Sequence, residues 1–272
     1  MNCPYCQASA TTERPERTEL GYPRFRCRAC ERGFNERTGT LFNRLQYPTD
    51  VICLVVLWRV RYKLSLRDLA EMFLERGVIF THEAVREWEA KLAPVLSETL
   101  RKHRRGRVGR SWYCDETYLK VKGRWTYLYR AIDRDGNLVD IYLSETRDRA
   151  AAEAFFRSAR TVTELVPDRV TTDGHNSYPG AIKAQLGDTV VHRTNRYLNN
   201  HLEQDHRGIK QRTRSMCGFK RFESAERFCR VYEEVRGFFR GRSQRNEPVS
   251  LSWQRIQYLG RMRVLMLTLS VA

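Results

Sequence analysis

The chain has 272 residues, enough to bury at least one sizeable core and to hold either one large domain or several small ones. Its 49 Lys and Arg against 32 Asp and Glu leave a net charge of +17, a surplus that suits a polyanionic partner, and nucleic acid is the partner expected. A membrane is excluded on pattern: no run of 18 or more apolar residues occurs, and the stretch from Val264 to Ala272 is too short to cross a bilayer.

The opening residues, MNCPYC, lack both the charged and the apolar parts of a signal peptide, so a cytoplasmic location is expected. In that reducing compartment the eight cysteines meet metals more readily than they form disulfides. Four of them make two C-x-x-C knuckles, Cys3-Pro-Tyr-Cys6 and Cys27-Arg-Ala-Cys30. Residues 1–40 hold too few apolar side chains for a core of their own, and one structural Zn2+ on Cys3, Cys6, Cys27 and Cys30 would supply the missing folding free energy. This segment is read as a zinc ribbon. Cys53, Cys114, Cys217 and Cys229 stand singly and read as small core residues.

Over 48–95 the apolar period turns helical, predicting helices at about 49–62, 65–76 and 81–93, with Ser65 and Thr81 as N-caps. In the third, Val85, Trp88 and Leu92 share an inward face and leave His82, Glu83, Arg86 and Glu87 outside. That division suits a helix-turn-helix whose polar residues, His82 and Arg86 first, enter a major groove; a plain three-helix bundle is the alternative. Arg101 to Arg110 carries six Lys and Arg and two Gly, so residues 96–110 read as an exposed basic linker and a domain boundary.

Beyond it, strand formers run from Trp112 to Val121, Trp125 to Asp133 and Leu138 to Ser144, separated by the turns Lys122-Gly123 and Asp135-Gly136. A helix over 147–163, a strand at 169–172, a helix at 177–186, a strand at 190–193 and a helix over about 198–214 follow. The order βββαβαβα over 111–235 predicts an α/β unit with a mixed sheet. Residues 236–272 are left as a basic C-terminal tail, in which Arg236, Arg240, Arg242 and Arg245 alternate with Phe238 and Phe239.

Asp115 interrupts an aromatic strand pattern, where a carboxylate is costly unless it is paired or holds a metal. Asp173 ends the strand RVTTD just before Gly174, and Glu203 lies early in the last helix, ahead of a stripe of Arg207, Lys210 and Arg214. Three carboxylates from separate elements can grip two Mg2+ (or Mn2+) ions, and the stripe suits a neighbouring phosphodiester backbone. On residue types alone Glu116, Asp133, Asp140 or Asp205 could replace a member of this set.

The run WYCDETYLKVKGRWTYLYRAIDRDGNLVDIYLS resembles the opening of the catalytic domain in DDE-type insertion-sequence transposases, specifically the insertion-sequence-six family. TTDGHNSYPGAI and YLNNHLEQDHRGIKQRTRSMCGFKRFESA resemble its second and third blocks, and LSLRDLAEMFLERGVIFTHEAVREWEAKLAP its helix-turn-helix. The resemblance implies a ribonuclease-H-like fold with Asp115, Asp173 and Glu203 as the catalytic metal ligands and Lys210 as the basic residue seven positions on. It also implies binding to terminal inverted repeats and target DNA, Mg2+-dependent cleavage and strand transfer, and a homo-oligomer that brings two ends together. The interval from Asp173 to Glu203 is a few residues shorter than is usual in the family. Two other functions fit the same sequence: a DNA-binding regulator or inactive relic that uses only the ribbon and helices, and a nuclease without a joining step.

Overall fold

The computed structural model describes residues 1–104, 106–195, 200–240 and 250–270, and of residues 200–205 and 270 the backbone alone. Three short strands come first, β1 (Thr11–Arg17), β2 (Pro23–Cys27) and β3 (Gly33–Asn35), paired antiparallel in sequence order. Their interior is little more than Cys3, Cys27 and Phe34, so burial alone does not hold this unit.

Helices α1 (Thr49–Arg61), α2 (Leu66–Leu74) and α3 (His82–Arg104) follow. The α1 sequence is apolar nearly all round, and Ile52, Cys53, Val55, Val56, Leu57 and Val60 are all buried. Ser65 caps α2 through a complete capping box with Asp68, and the Thr81 hydroxyl accepts from the Ala84 amide at the start of α3. The predicted inner face of α3 is the buried one, with Val85, Trp88 and Leu92 inside and Glu83, Arg86 and Glu87 exposed.

The third helix does not stop at Pro94. It continues through Leu96, Ser97 and Leu100, all buried, to Arg104, so residues 96–104 are not an exposed linker. The spacing Leu92, Leu96, Leu100 keeps one apolar stripe along the helix, and packing that stripe outweighs the hydrogen bond lost at Pro94. The charges at its end are also internal. Arg104 grips Glu234 at 2.8 Å and Arg101 reaches Asp140 at 3.2 Å.

The second sheet contains β4 (Ser111–Val121), β5 (Arg124–Asp133), β6 (Leu138–Ser144), β7 (Arg169–Thr172) and β8 (Val191–Thr194), in the order β6-β5-β4-β7-β8. The hairpins β4–β5–β6 are antiparallel, and β7 and β8 join parallel through α4 (Arg149–Thr163) and α5 (Ser177–Leu186). This mixed sheet is consistent with a ribonuclease-H-like domain; the predicted order βββαβαβα is found, and an additional, unpredicted helix over Phe222–Phe239 follows it. Alternating residues cover both faces. Trp112, Cys114, Tyr129 and Val139 pack under α4 and α5, while Leu119, Val121, Leu128 and Leu143 face a core shared with α3 and α7.

The chain finishes with α6 (Asn200–Ser215), α7 (Phe222–Phe239) and α8 (Leu251–Ser270). The expected basic tail is therefore largely helical in its described part: Leu265 and Leu269 of α8 join the large core, and Arg236 of α7 pairs with Glu233. Arg242 and Arg245 lie outside the described residues. Among the described residues no helix is long and apolar enough to cross a membrane.

Candidate active site

Register places the first two acids. β4 and β7 run parallel, and their last paired residues are Tyr113 and Thr171. Asp115 and Asp173 each stand two residues further on, side by side where the strands part. Ligands of open α/β sheets bind in crevices at such carboxyl ends. Gly174, at a φ of 91° that disfavours a side chain, turns the chain out of the strand, and the His175 amide donates to Asp173 Oδ1 at 3.0 Å.

Glu116 is the third acid of the described cluster: carboxylate oxygens of Asp115, Glu116 and Asp173 all lie within 4.8 Å of one another. Such crowding favours a cation or a proton. Burial, then the charges of Glu116 and Asp173, push the Asp115 carboxyl up to about 7.

Glu116 is nonetheless held differently from its neighbours. Its side chain is 3% exposed and accepts from the Tyr178 hydroxyl on Oε2 and from the Arg147 guanidinium on Oε1. Arg147 also lies 3.7 Å from Asp173 Oδ2 and so forms an internal counter-charge to the cluster. Neither Arg147 nor Tyr178 stood out in the sequence, because nothing in the pattern of the β6–α4 loop or of α5 links them to strand β4.

The other candidate carboxylates are engaged elsewhere. Asp133 accepts from the amides of Gly109, Asp135 and Asn137 and organises a turn. Asp140 accepts from Ser158 at 2.6 Å and pairs with Arg101. The side chains of Glu203 and Asp205 lie outside the described residues, although both belong to α6. Helix α6 packs against β4. Its buried His206, nearly one turn past Glu203, brings Nδ1 to 3.9 Å from Asp115 Oδ2.

On the rest of α6, Arg207, Lys210 and Arg214 are exposed and Ile209 is buried, as the helical spacing predicts, while Leu198 and the Leu202 side chain lie outside the described residues. A groove of about 840 Å³ separates α2 and α3 from the α6–α7 turn. Arg67, His82, Arg86, Lys220, Arg221 and Arg227 line it, and its two acids are already engaged: Asp68 caps α2 and Glu89 pairs with the buried Arg59 at 3.1 Å.

The four N-terminal cysteines also converge, with Sγ atoms within 4.8 Å of one another. Cys3 and Cys30 are 3.6 Å apart and Cys6 and Cys27 3.5 Å, far too long for disulfides but close to the roughly 3.8 Å edge of a tetrahedral zinc thiolate site. The Cys30 amide lowers the Cys27 thiol to about 7. The Ala8 amide acts the same way on Cys6, yet hydrogen bonding to Cys27 and Cys30 leaves that thiol raised to about 12.

Residues 109–242 match the family described as a DDE domain. The chain is 42% identical over 176 residues to the transposase for insertion sequence-like element IS431mec of Staphylococcus aureus, covering 63% of this chain and 77% of that protein. It is 41% identical over 176 residues to the transposase for insertion sequence element IS257 in transposon Tn4003, also from Staphylococcus aureus, with the same 63% and 77% covered. An uncharacterized protein of Methanocaldococcus jannaschii is 30% identical over 176 residues, covering 64% of this chain and 77% of that one. With its acids gathered at the parting of two parallel strands inside the matched segment, the chain belongs to the DDE insertion-sequence transposases and is an enzyme of DNA strand transfer.

Proposed function

We propose that Asp115, Asp173 and Glu203 hold two Mg2+ (or Mn2+) ions and that the chain uses them to cut its element's terminal inverted repeats and join them to target DNA. The supporting observation is the crowding of Asp115 and Asp173 with Glu116 within 4.8 Å, which leaves Asp115 raised to about 7 until a cation relieves it. Asp115 stands between Asp173 at the end of β7 and helix α6, so Asp115, Asp173 and Glu203 together would hold the ions through carboxylate oxygens. Both oxygens of Glu116 are occupied by Tyr178 and Arg147, which fits a supporting role rather than a ligand's. Bound there, such ions would activate a water or 3′-hydroxyl and stabilise the leaving oxygen.

DNA contact is assigned to His82 and Arg86 at the start of α3 and to Arg207, Lys210 and Arg214 on α6. The cationic groove lined by His82 and Arg86 supports the first part of this reading, because a phosphate backbone would find Arg67, Lys220 and Arg221 along its path. A structural Zn2+ on Cys3, Cys6, Cys27 and Cys30 completes the proposal, since the three-stranded unit has no other core.

The test is strand transfer by the purified chain on DNA bearing an element end, with Mg2+ or Mn2+. Cleavage and joining are expected, and Asp115→Ala should abolish both while leaving DNA binding. Joining retained in that variant would refute the metal-ligand assignment. Binding without any metal-dependent strand chemistry in the native chain would favour the regulator or relic instead.

A further inference from the structure

Two large aromatic side chains sit in water beside the active site. Tyr118 is 54% exposed and Trp125 51% exposed, with their rings 5.0 Å apart and nearly perpendicular at 89°. Each ring carries a lysine: Lys210 Nζ lies 4.2 Å from the Tyr118 centroid and Lys120 Nζ 4.7 Å from that of Trp125. In the β4–β5 hairpin Lys120 pairs with Trp125 and Tyr118 with Tyr127, so the two rings are diagonal neighbours. Diagonal contact helps a hairpin, but half of each residue's surface remains uncovered.

The position matters as much as the composition. Tyr118 follows Glu116 by two residues, so on an extended strand it shares a face of β4 with that member of the acidic cluster and lies roughly 7 Å along from it. β7 pairs with Ser111–Tyr113, and among the described residues no strand continues along that edge of β4, which is met further out by the single bridge of Val121 to Phe219; α6 packs on β4 and brings Lys210 over Tyr118. Exposed rings next to cations are the composition by which proteins hold single strands: the π surface stacks on a base of any identity, and the lysines pair with the backbone. A fully paired duplex offers free base faces only at its terminal pairs, so such a surface favours DNA with unpaired nucleotides.

We propose that Tyr118 and Trp125, flanked by Lys120 and Lys210, form a stacking platform for unpaired bases of a DNA strand entering the active-site crevice. The proposal rests on the DNA-strand reading above and adds the form of DNA that is preferred.

It is tested with the full chain in metal-free buffer, measuring affinity for a duplex with a single-stranded overhang and for the same duplex with a blunt end. The native chain should favour the overhang. Tyr118→Ala with Trp125→Ala should weaken overhang binding about tenfold and leave blunt binding nearly unchanged. Tyr118→Phe with Trp125→Phe should keep the preference, because the rings persist. As a second measure, overhang DNA should quench the native tryptophan fluorescence more than that of Trp125→Phe. A native chain that binds both DNAs equally, or a double alanine variant that keeps its preference, would overturn the platform alone. Failure to bind either DNA would overturn the underlying strand reading with it.

Discussion

At Asp115 two requirements conflict. A carboxylate drawn largely out of water loses hydration, and Glu116 and Asp173 add like charge, so its proton is held to about 7. The unfolded group titrates near 3.8, so folding is progressively penalised as pH rises from about 4 to 7 and carries the full penalty above that. Asp115→Asn should therefore raise the melting temperature of the metal-free chain by several degrees at pH 8 and by less at pH 5, while eliminating strand transfer. Equal shifts at the two pH values would contradict the crowding. Glu116 gives a contrasting case. Because Arg147 and Tyr178 occupy its oxygens, Glu116→Gln should lower strand transfer about tenfold by loosening Arg147, yet leave the number of bound divalent ions, read by calorimetry, unchanged. Loss of an ion in that variant would make Glu116 a ligand.

Two elements behave differently from what local pattern suggests. Pro94 and the following run of cations argue for a helix end, yet α3 continues to Arg104 because Leu96 and Leu100 complete an apolar stripe packed in the large core. Leu96→Ala or Leu100→Ala should cost about 2–4 kcal/mol in denaturant unfolding, whereas an exposed linker would lose almost nothing. The opening three-stranded unit is the opposite case, an element set with correct pairing and almost no core. We expect about one zinc per chain by metal analysis, absent from a Cys27→Ser, Cys30→Ser double variant whose N-terminal strands then become protease-sensitive. A native chain without zinc would leave the four thiols unexplained.

Across the whole molecule the helical segment and the sheet are joined through one core: α3 packs on α7, α7 on β6, and α8 covers α1. That arrangement holds the cationic groove and the α6 stripe in fixed relation to the acids. DNA-end affinity should fall steeply with salt, and Arg86→Ala or Arg207→Ala should each reduce the log–log slope by about 1 if the lost contact is to a phosphate. What the sequence determined by itself was whatever depends on near neighbours. Strand alternation, turn residues and caps set β4 through β8 and the helices between them, knuckle spacing marked the four cysteines, and the motif blocks singled out Asp115, Asp173 and Glu203. What only the tertiary structure decided was whatever depends on distant partners. Parallel pairing of Tyr113 with Thr171 brings Asp115 beside Asp173, Arg147 and Tyr178 fold over Glu116, Asp133 and Asp140 turn to other work, and a predicted linker becomes core helix. The physical reason is that a side chain's charge, burial and partner are set by what the chain brings to it from far along its length, and local periodicity carries no record of that meeting.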